Sequence, residues 1–250
     1  CVGPARAADS YLNQSALLSA ALAAGCDGIH PGYGFLSENA DFADACAREG
    51  LTFIGPPGDV IRRAGSKSAA RTLMREAGVP VTPGSRGPVC SAEEALAEAE
   101  RVGYPVMLKA SAGGGGRGLR RCEGPAELAA ALAEAQAEAR ACFGDDEMYL
   151  EKLVLHPRHI EVQILADRFG NVVHLGDRDC SLQRRSQKLV EEAPAWGLLP
   201  ELREEMGRAA VRAAEAVGYE NAGTVEFLLD PDGERFYFME MNTRLQVEHG

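Results

Sequence analysis

The stretch from Glu240 to Glu248, EMNTRLQVE, gathers groups that bind ions: two carboxylates, two amides and a guanidinium. Glu240, Asn242, Arg244, Gln246 and Glu248 alternate with Met241, Thr243, Leu245 and Val247. In an extended segment a period of two sends neighbours to opposite faces, so the spacing predicts one strand with an ion-binding face. An ordinary solvated strand face is the competing reading. Upstream, Gly223–Asp230 and Arg235–Asn242 flank Pro231-Asp232-Gly233, which carries the residues of a β-turn. A hairpin centred near Gly233 sets Glu226 opposite Glu240. Facing carboxylates repel unless a cation lies between them. Magnesium or manganese, which take hard oxygen ligands, would suit the pair, and Asn242 could add a carbonyl oxygen.

Three further clusters could handle anions. The run Gly113-Gly114-Gly115-Gly116-Arg117-Gly118 lets backbone N–H groups approach phosphate unobstructed, and Lys109 lies just before it. A short strand rather than a helix follows the run, which favours a hairpin lid over a dinucleotide fingerprint. A flexible linker is the alternative. Residues 179–188, DCSLQRRSQK, place three cations and two amides after a strand, either as an anion site or as a solvated loop. His156, Pro157, Arg158 and His159 read on their own as surface polarity.

The elements that must position these groups fall into three parts. In residues 1–82, helices at 15–26 and 39–49 alternate with short strands at 27–30 and 51–54, and one or two helices fill 58–78. This alternation suggests a parallel sheet wrapped by helices. Residues 83–153 follow a Pro/Gly-rich hinge and form an α+β unit: helix 91–102, strand 105–110, the glycine run, strand 119–122, helix 125–142 and strand 148–152. Residues 154–250 are mostly strands (IEVQILAD, NVVHLGDRD, GTVEFLLD, RFYFMEMN) with one long helix at 200–217. The fold class expected is therefore mixed α/β.

Composition narrows the class further. Of 250 residues, 46% are hydrophobic and 25% charged, with a formal net charge of −11, which argues against general affinity for nucleic acid or anionic membranes. The sequence contains neither a signal peptide nor an apolar run of spanning length. Seven cysteines lie far apart with no Cys-x-x-Cys pair, the pattern of reduced thiols in a cytoplasmic protein. Cys1-Val2-Gly3-Pro4 reads as the end of a buried strand, and both ends read as cut from a longer protein.

Together these segments resemble the biotin carboxylase branch of the ATP-grasp superfamily. The motifs that carry the resemblance are HPGYGFLSEN (30–39), Lys109-Ala110-Ser111 with its glycine run, Arg178-Asp179-Cys180-Ser181, Glu191-Glu192-Ala193-Pro194 and EMNTRLQVEH (240–249). The first separates this branch from carbamoyl-phosphate synthetase and D-alanine–D-alanine ligase. The resemblance implies an ATP-grasp fold with part of a Rossmann-like N-terminal domain. It further implies ATP as substrate, magnesium or manganese, bicarbonate, and biotin borne on a carrier protein. Lys67, Lys109 and His159 would meet the nucleotide phosphates under a lid that includes Gly114, Gly115 and Gly116. Glu151, Lys152 and Leu153 would hold adenine through backbone groups, with Leu228 packed on the ring. Glu226, Glu240 and Asn242 would hold the metal, and Lys188, Arg244, Gln246 and Val247 the bicarbonate. Glu248 would be the base that deprotonates bicarbonate, acting with Arg244 and Lys188.

Two departures from the family pattern stand out. Ser186 occupies a position that is often His, where a hydroxyl could still bond a ribose oxygen. The arginine expected to stabilise deprotonated biotin has no counterpart among these residues. The function expected is the biotin carboxylase step of an acyl-CoA carboxylase such as that of fatty acid biosynthesis, with a carrier protein and a carboxyltransferase as partners and a homodimeric parent. A nucleotide-binding assembly module without turnover is one alternative. The equivalent domain of a pyruvate, propionyl-CoA or methylcrotonyl-CoA carboxylase is another.

Overall fold

The computed structural model describes residues 1–112, 118–185 and 187–249. Helix α1 (Gln14–Ala23) begins where the Asn13 side chain accepts from Ala16 N, and α2 (Ala40–Arg48) where Asn39 accepts from Phe42 N. Such caps satisfy amides that lack a helical partner. Gln14 Nε2 also donates to Asn39 Oδ1 at 3.2 Å, which ties the two helix starts together. Strands β1 (Gly28–Ile29) and β2 (Thr52–Phe53) pair in parallel, as the alternation of helix and strand predicts. Residues 1–4 form no strand and are largely exposed.

Two amphipathic helices follow, α3 (Gly58–Gly65) and α4 (Lys67–Glu76). Next comes the small unit: α5 (Ala92–Val102), β3 (Val106–Ala110), β4 (Leu119–Cys122), α6 (Pro125–Phe143) and β5 (Met148–Lys152). Its antiparallel sheet runs β4-β3-β5 and carries α5 and α6 on one face. The large unit contains β6 (Arg158–Ala166), β7 (Val172–Arg184), β8 (Gln187–Glu192), α7 (Pro200–Val217), β9 (Asn221–Leu229) and β10 (Phe236–Asn242). Its antiparallel sheet runs β10-β9-β6-β7-β8. Helix α7 starts with Pro200 at its first turn and stops at Gly218, whose φ of +65° suits glycine. Among the described residues, no helix is long and apolar enough to cross a membrane.

Alternation along the large sheet decides where its core lies. Ile160, Val162 and Ile164 of β6, together with Val225, Phe227 and Leu229 of β9, point to one face and pack on α7. Residues of α3 and α4 (Val60, Ala64, Ala70, Met74) join the same cluster, so these helices pack with the large sheet. The small unit keeps a separate core around Leu108, Leu128 and Leu150, and α1, α2, β1 and β2 share a third.

Candidate functional site

The opposite face of the large sheet is polar. Glu240 of β10 lies directly across from Glu226 of β9, which lies across from Glu161 of β6, which lies across from Arg178 of β7. In an antiparallel sheet, residues directly opposite share a face, so three carboxylates and a guanidinium stand in one row across four strands. The facing of Glu226 and Glu240 is the pairing read from the hairpin, but the route to it differs. Near the turn, Phe236 pairs with Leu229 and Phe238 with Phe227, a register that would carry Glu240 past Glu226. An irregularity between Phe238 and Glu240 absorbs one extra residue, Met239, and restores the pairing.

Cations neutralise the row. Lys188 Nζ reaches Glu161 Oε2 at 2.5 Å and Glu226 Oε1 at 2.9 Å. Arg178 Nε donates to Glu161 Oε1 at 2.6 Å, and its Nη2 donates to Gln163 and Gln246 at 3.0 and 3.1 Å. His159 Nε2 lies 2.9 Å from Glu226 Oε2, an ion-pair distance without hydrogen-bond alignment, while its Nδ1 meets Gln183 Nε2 at 2.6 Å. Lys67 Nζ is 3.1 Å from Glu240 Oε2. Burial opposes ionisation of Glu226, but His159 and Lys188 outweigh it and hold the carboxyl at about 2. Burial likewise opposes the charge on Lys188, yet Glu226 and Glu161 raise its pKa.

The row borders a cleft of about 1010 Å³. Of the residues expected from sequence, Lys67, Lys109, His159, Lys188, Glu226, Leu228, Glu240, Asn242, Arg244, Gln246 and Glu248 all line it. Lys109 Nζ is held by Glu151 Oε2 at 2.5 Å, so the Glu151 side chain is spent on a cation and buried. Lys152 turns away, donating Nζ to Gly103 O and Tyr104 O at 3.0 and 2.6 Å, and with Leu153 borders a different cleft of about 600 Å³. The amides of Lys152 and Leu153 donate to Pro83 O and Pro105 O. Val154 borders that second cleft as well. Gly114, Gly115, Gly116 and Ser186 lie outside the described residues.

The expected strand through 240–248 ends early, at Asn242, and 247–249 form a 3-10 turn. Pairing with β9 stops at Asn242, although β9 itself reaches back to Asn221. Side chains hold the segment instead: Glu38 accepts from Thr243 N at 3.1 Å and lies 3.4 Å from Arg244 Nε. Gln246 is buried, whereas Val247 is exposed and does not line the cleft. Residues 179–188, left open as an anion site or a solvated loop, are mostly strand. Strand β7 runs to Arg184 and pairs with β8 through Arg184 and Gln187.

Sequence reasoning passed over Glu161, and it placed Arg178, Gln183, Glu191 and Glu38 inside motifs without giving them individual roles. For Glu161 the signal was present: it and Gln163 alternate with Ile160, Val162 and Ile164, and it is fully buried. Glu191 has its carboxyl pushed up, first by burial and then by the charges of Glu248 and Glu161. Glu161, Cys180 and Glu191 bring ligating atoms within 4.8 Å of one another. Both Glu161 oxygens already hold cations, and burial keeps the Cys180 thiol protonated, so that trio does not suit a metal. Glu226, Glu240 and Asn242 suit one better. They offer hard oxygens at the cleft, and the Lys67 ammonium beside them could pass to phosphate.

Known proteins share both sequence and shape with this chain. The profile "Carbamoyl-phosphate synthase L chain, ATP binding domain" matches residues 66–250, and "Biotin carboxylase, N-terminal domain" matches residues 1–61. Biotin carboxylase 2, chloroplastic, of Populus trichocarpa is 59% identical over 249 residues, covering 100% of this chain and 47% of the relative. The crystal structure of a Campylobacter jejuni biotin carboxylase–beta-gamma-ATP complex superposes with a TM-score of 0.94 at 53% identity, covering 100% of this chain and 56% of that one. The biotin carboxylase domain dimer of Hydrogenobacter thermophilus 2-oxoglutarate carboxylase, bound to MgADP, ADP and bicarbonate, gives 0.91 at 51% identity, covering 98% and 54%. The chain thus spans about half the length of the curated relatives it matches.

Proposed function

This chain belongs to the biotin carboxylase family, and from that premise we propose that its cleft binds ATP and bicarbonate and makes carboxyphosphate for the carboxylation of biotin. The observation that carries the reading is the row Glu240, Glu226, Glu161 and Arg178, bordered by Lys67, His159 and Lys188 in one cleft. Such a site offers cations for phosphate and hard oxygens for a metal side by side.

Lys67, Lys109 and His159 exchange their carboxylate partners for phosphate oxygens when ATP enters, and hold the γ-phosphate in line with bicarbonate. Leu228 and Met239 pack the adenine. Glu226, Glu240 and Asn242 would hold magnesium, which supplies charge neutralisation at the phosphates. Arg244, Lys188 and Gln246 orient bicarbonate, and Glu248 removes its proton as its oxygen attacks phosphorus. Glu191 keeps a proton to higher pH than an ordinary glutamate, because of burial and then the charges of Glu248 and Glu161. With ADP as the leaving group, carboxyphosphate forms and then yields carbon dioxide and phosphate; that phosphate takes the ureido N–H proton of biotin on a carrier partner, and the nitrogen captures the carbon dioxide.

The test is steady-state ADP release by this chain with MgATP, free biotin, and bicarbonate present or absent. A bicarbonate-dependent rate supports the reading. ATP binding with a flat rate would reduce the chain to a nucleotide-binding module, a reading favoured by its covering about half of its relatives. Glu248→Gln should spare ATP affinity and abolish the bicarbonate-dependent rate, in this chain or in the equivalent full-length protein. Unchanged turnover would remove Glu248 as the base. The acid that finally receives the carboxyl group lies beyond this cleft, and the relatives named above already include a 2-oxoglutarate carboxylase.

A further inference from the structure

Arg71 sits on α4, outside every motif above, and is buried. Its Nη1 donates to Glu151 Oε1 of β5, and its Nη2 donates to Thr82 O at 2.6 Å. Its guanidinium also lies over the Tyr149 ring, 5.8 Å from the centroid. The other oxygen of Glu151 holds Lys109 Nζ at 2.5 Å. One buried carboxylate is therefore shared by two cations, one on a helix of the large core and one on the sheet of the small unit. Lys109 borders the nucleotide cleft, whereas Arg71 borders a separate small cavity on the other side of Tyr149.

The count of charges matters more than the individual bonds. Arg71, Glu151 and Lys109 sum to one positive charge. Glu151 and Lys109 alone would sum to zero, and a neutralised lysine attracts phosphate weakly. We propose that Arg71 is a positioning residue for nucleotide binding. By occupying Glu151 it leaves the charge of Lys109 available to an ATP phosphate, while its bond to Thr82 fixes the hinge from which the small unit extends. This rests on the reading of the cleft as an ATP site. Two properties of the triad agree with a carboxylate that serves both cations. Burial opposes ionisation of Glu151, yet Lys109 and then Arg71 outweigh it and lower its pKa. Gly84 leaves room for the arrangement, since a Cβ there would lie 2.8 Å from Arg71 Nη2.

The test is calorimetric titration of this chain and its variants with ATP and, separately, with adenosine, which has no phosphate. Arg71→Met should weaken ATP binding about ten- to thirty-fold, the effect of one charge at short range in a partly screened site. Adenosine affinity should stay within about threefold. Adding Glu151→Gln to Arg71→Met restores the local charge to one, and should bring ATP affinity back toward wild type. Arg71→Lys keeps the charge and should hold ATP affinity within about threefold, so it carries the test even if the methionine variant does not fold. The proposal is overturned if Arg71→Met binds ATP normally, if ATP and adenosine weaken together, if Glu151→Gln brings no recovery, or if Arg71→Lys loses ATP as well. Wild-type protein that binds no ATP would take down the proposed function and this inference together, whereas normal ATP binding by Arg71→Met would remove the inference alone.

Discussion

Glu226→Gln tests the electrostatics of the site without reference to catalysis. In the folded chain Glu226 ionises at about 2 against an ordinary value of 4.5, although it is almost wholly buried. The difference of about 2.5 in pKa corresponds to about 3 kcal/mol of stability supplied by the charged form. A depressed carboxylate contributes fully above its unfolded pKa and loses that contribution as pH falls through its folded pKa. The window is therefore about pH 4.5 down to about 2. Between neutrality and about pH 3, about 2 kcal/mol of the contribution should vanish. The glutamine variant has no such term, and Lys188 keeps Glu161 as its partner. Urea unfolding of both proteins at about pH 7, 4 and 3 gives the comparison, with stability obtained by linear extrapolation. The wild-type advantage should be near its full value at neutrality and about one third of that at the lowest pH. An advantage that does not change with pH would refute the claim that Lys188 and His159 hold this carboxylate ionised.

Two other perturbations probe the frame. Glu240→Gln should weaken a magnesium titration followed by ATP affinity at least tenfold, while stability changes by less than about 1 kcal/mol, because Glu240 and Lys67 are only partly buried; an unchanged titration would remove Glu240 as a metal ligand. Gly84→Ala should destabilise the chain by about 2–3 kcal/mol, since its Cβ would meet Leu150 O at 2.3 Å and backbone cannot step aside; a neutral result in thermal unfolding would show that the hinge gives way.

The fold was legible where periodicity and punctuation agree. Ser91 caps α5, and Pro125 and Pro200 open α6 and α7, so the helix starts expected near 91, 125 and 200 are kept. The mixed α/β class expected from sequence is that of the solved biotin carboxylases. Strand β8 was not legible, because QKLVEE carries no clean alternation and its pairing depends on β7 extending to Arg184. At the site, the long motifs delivered most of the residues that line the cleft, but they could not show which groups bind each other. Arg71 and Glu38 belong to the site only through contacts made far along the chain, to Glu151 and to Thr243. Nothing in their local spacing announces those partners. Glu161 differs, since a carboxylate inside an alternating Ile/Val strand is unusual enough to have been singled out.

The extra residue in β10 gives the hairpin an independence that its sequence hides. Phe236 and Phe238 face the core, as does Met241, so burial changes parity across Met239. Two consecutive side chains, Met239 and Glu240, consequently face the cleft together, an apolar wall beside a carboxylate. Removing Met239 would leave a regular hairpin in which Glu240 still faces Glu226 and Met241 still enters the core. A family whose members vary in how tightly they grip adenine could thus gain or lose this residue without disturbing the row of charges. A change of length by one residue, normally ruinous inside a hairpin, would here be confined to the Met239 wall of the cleft.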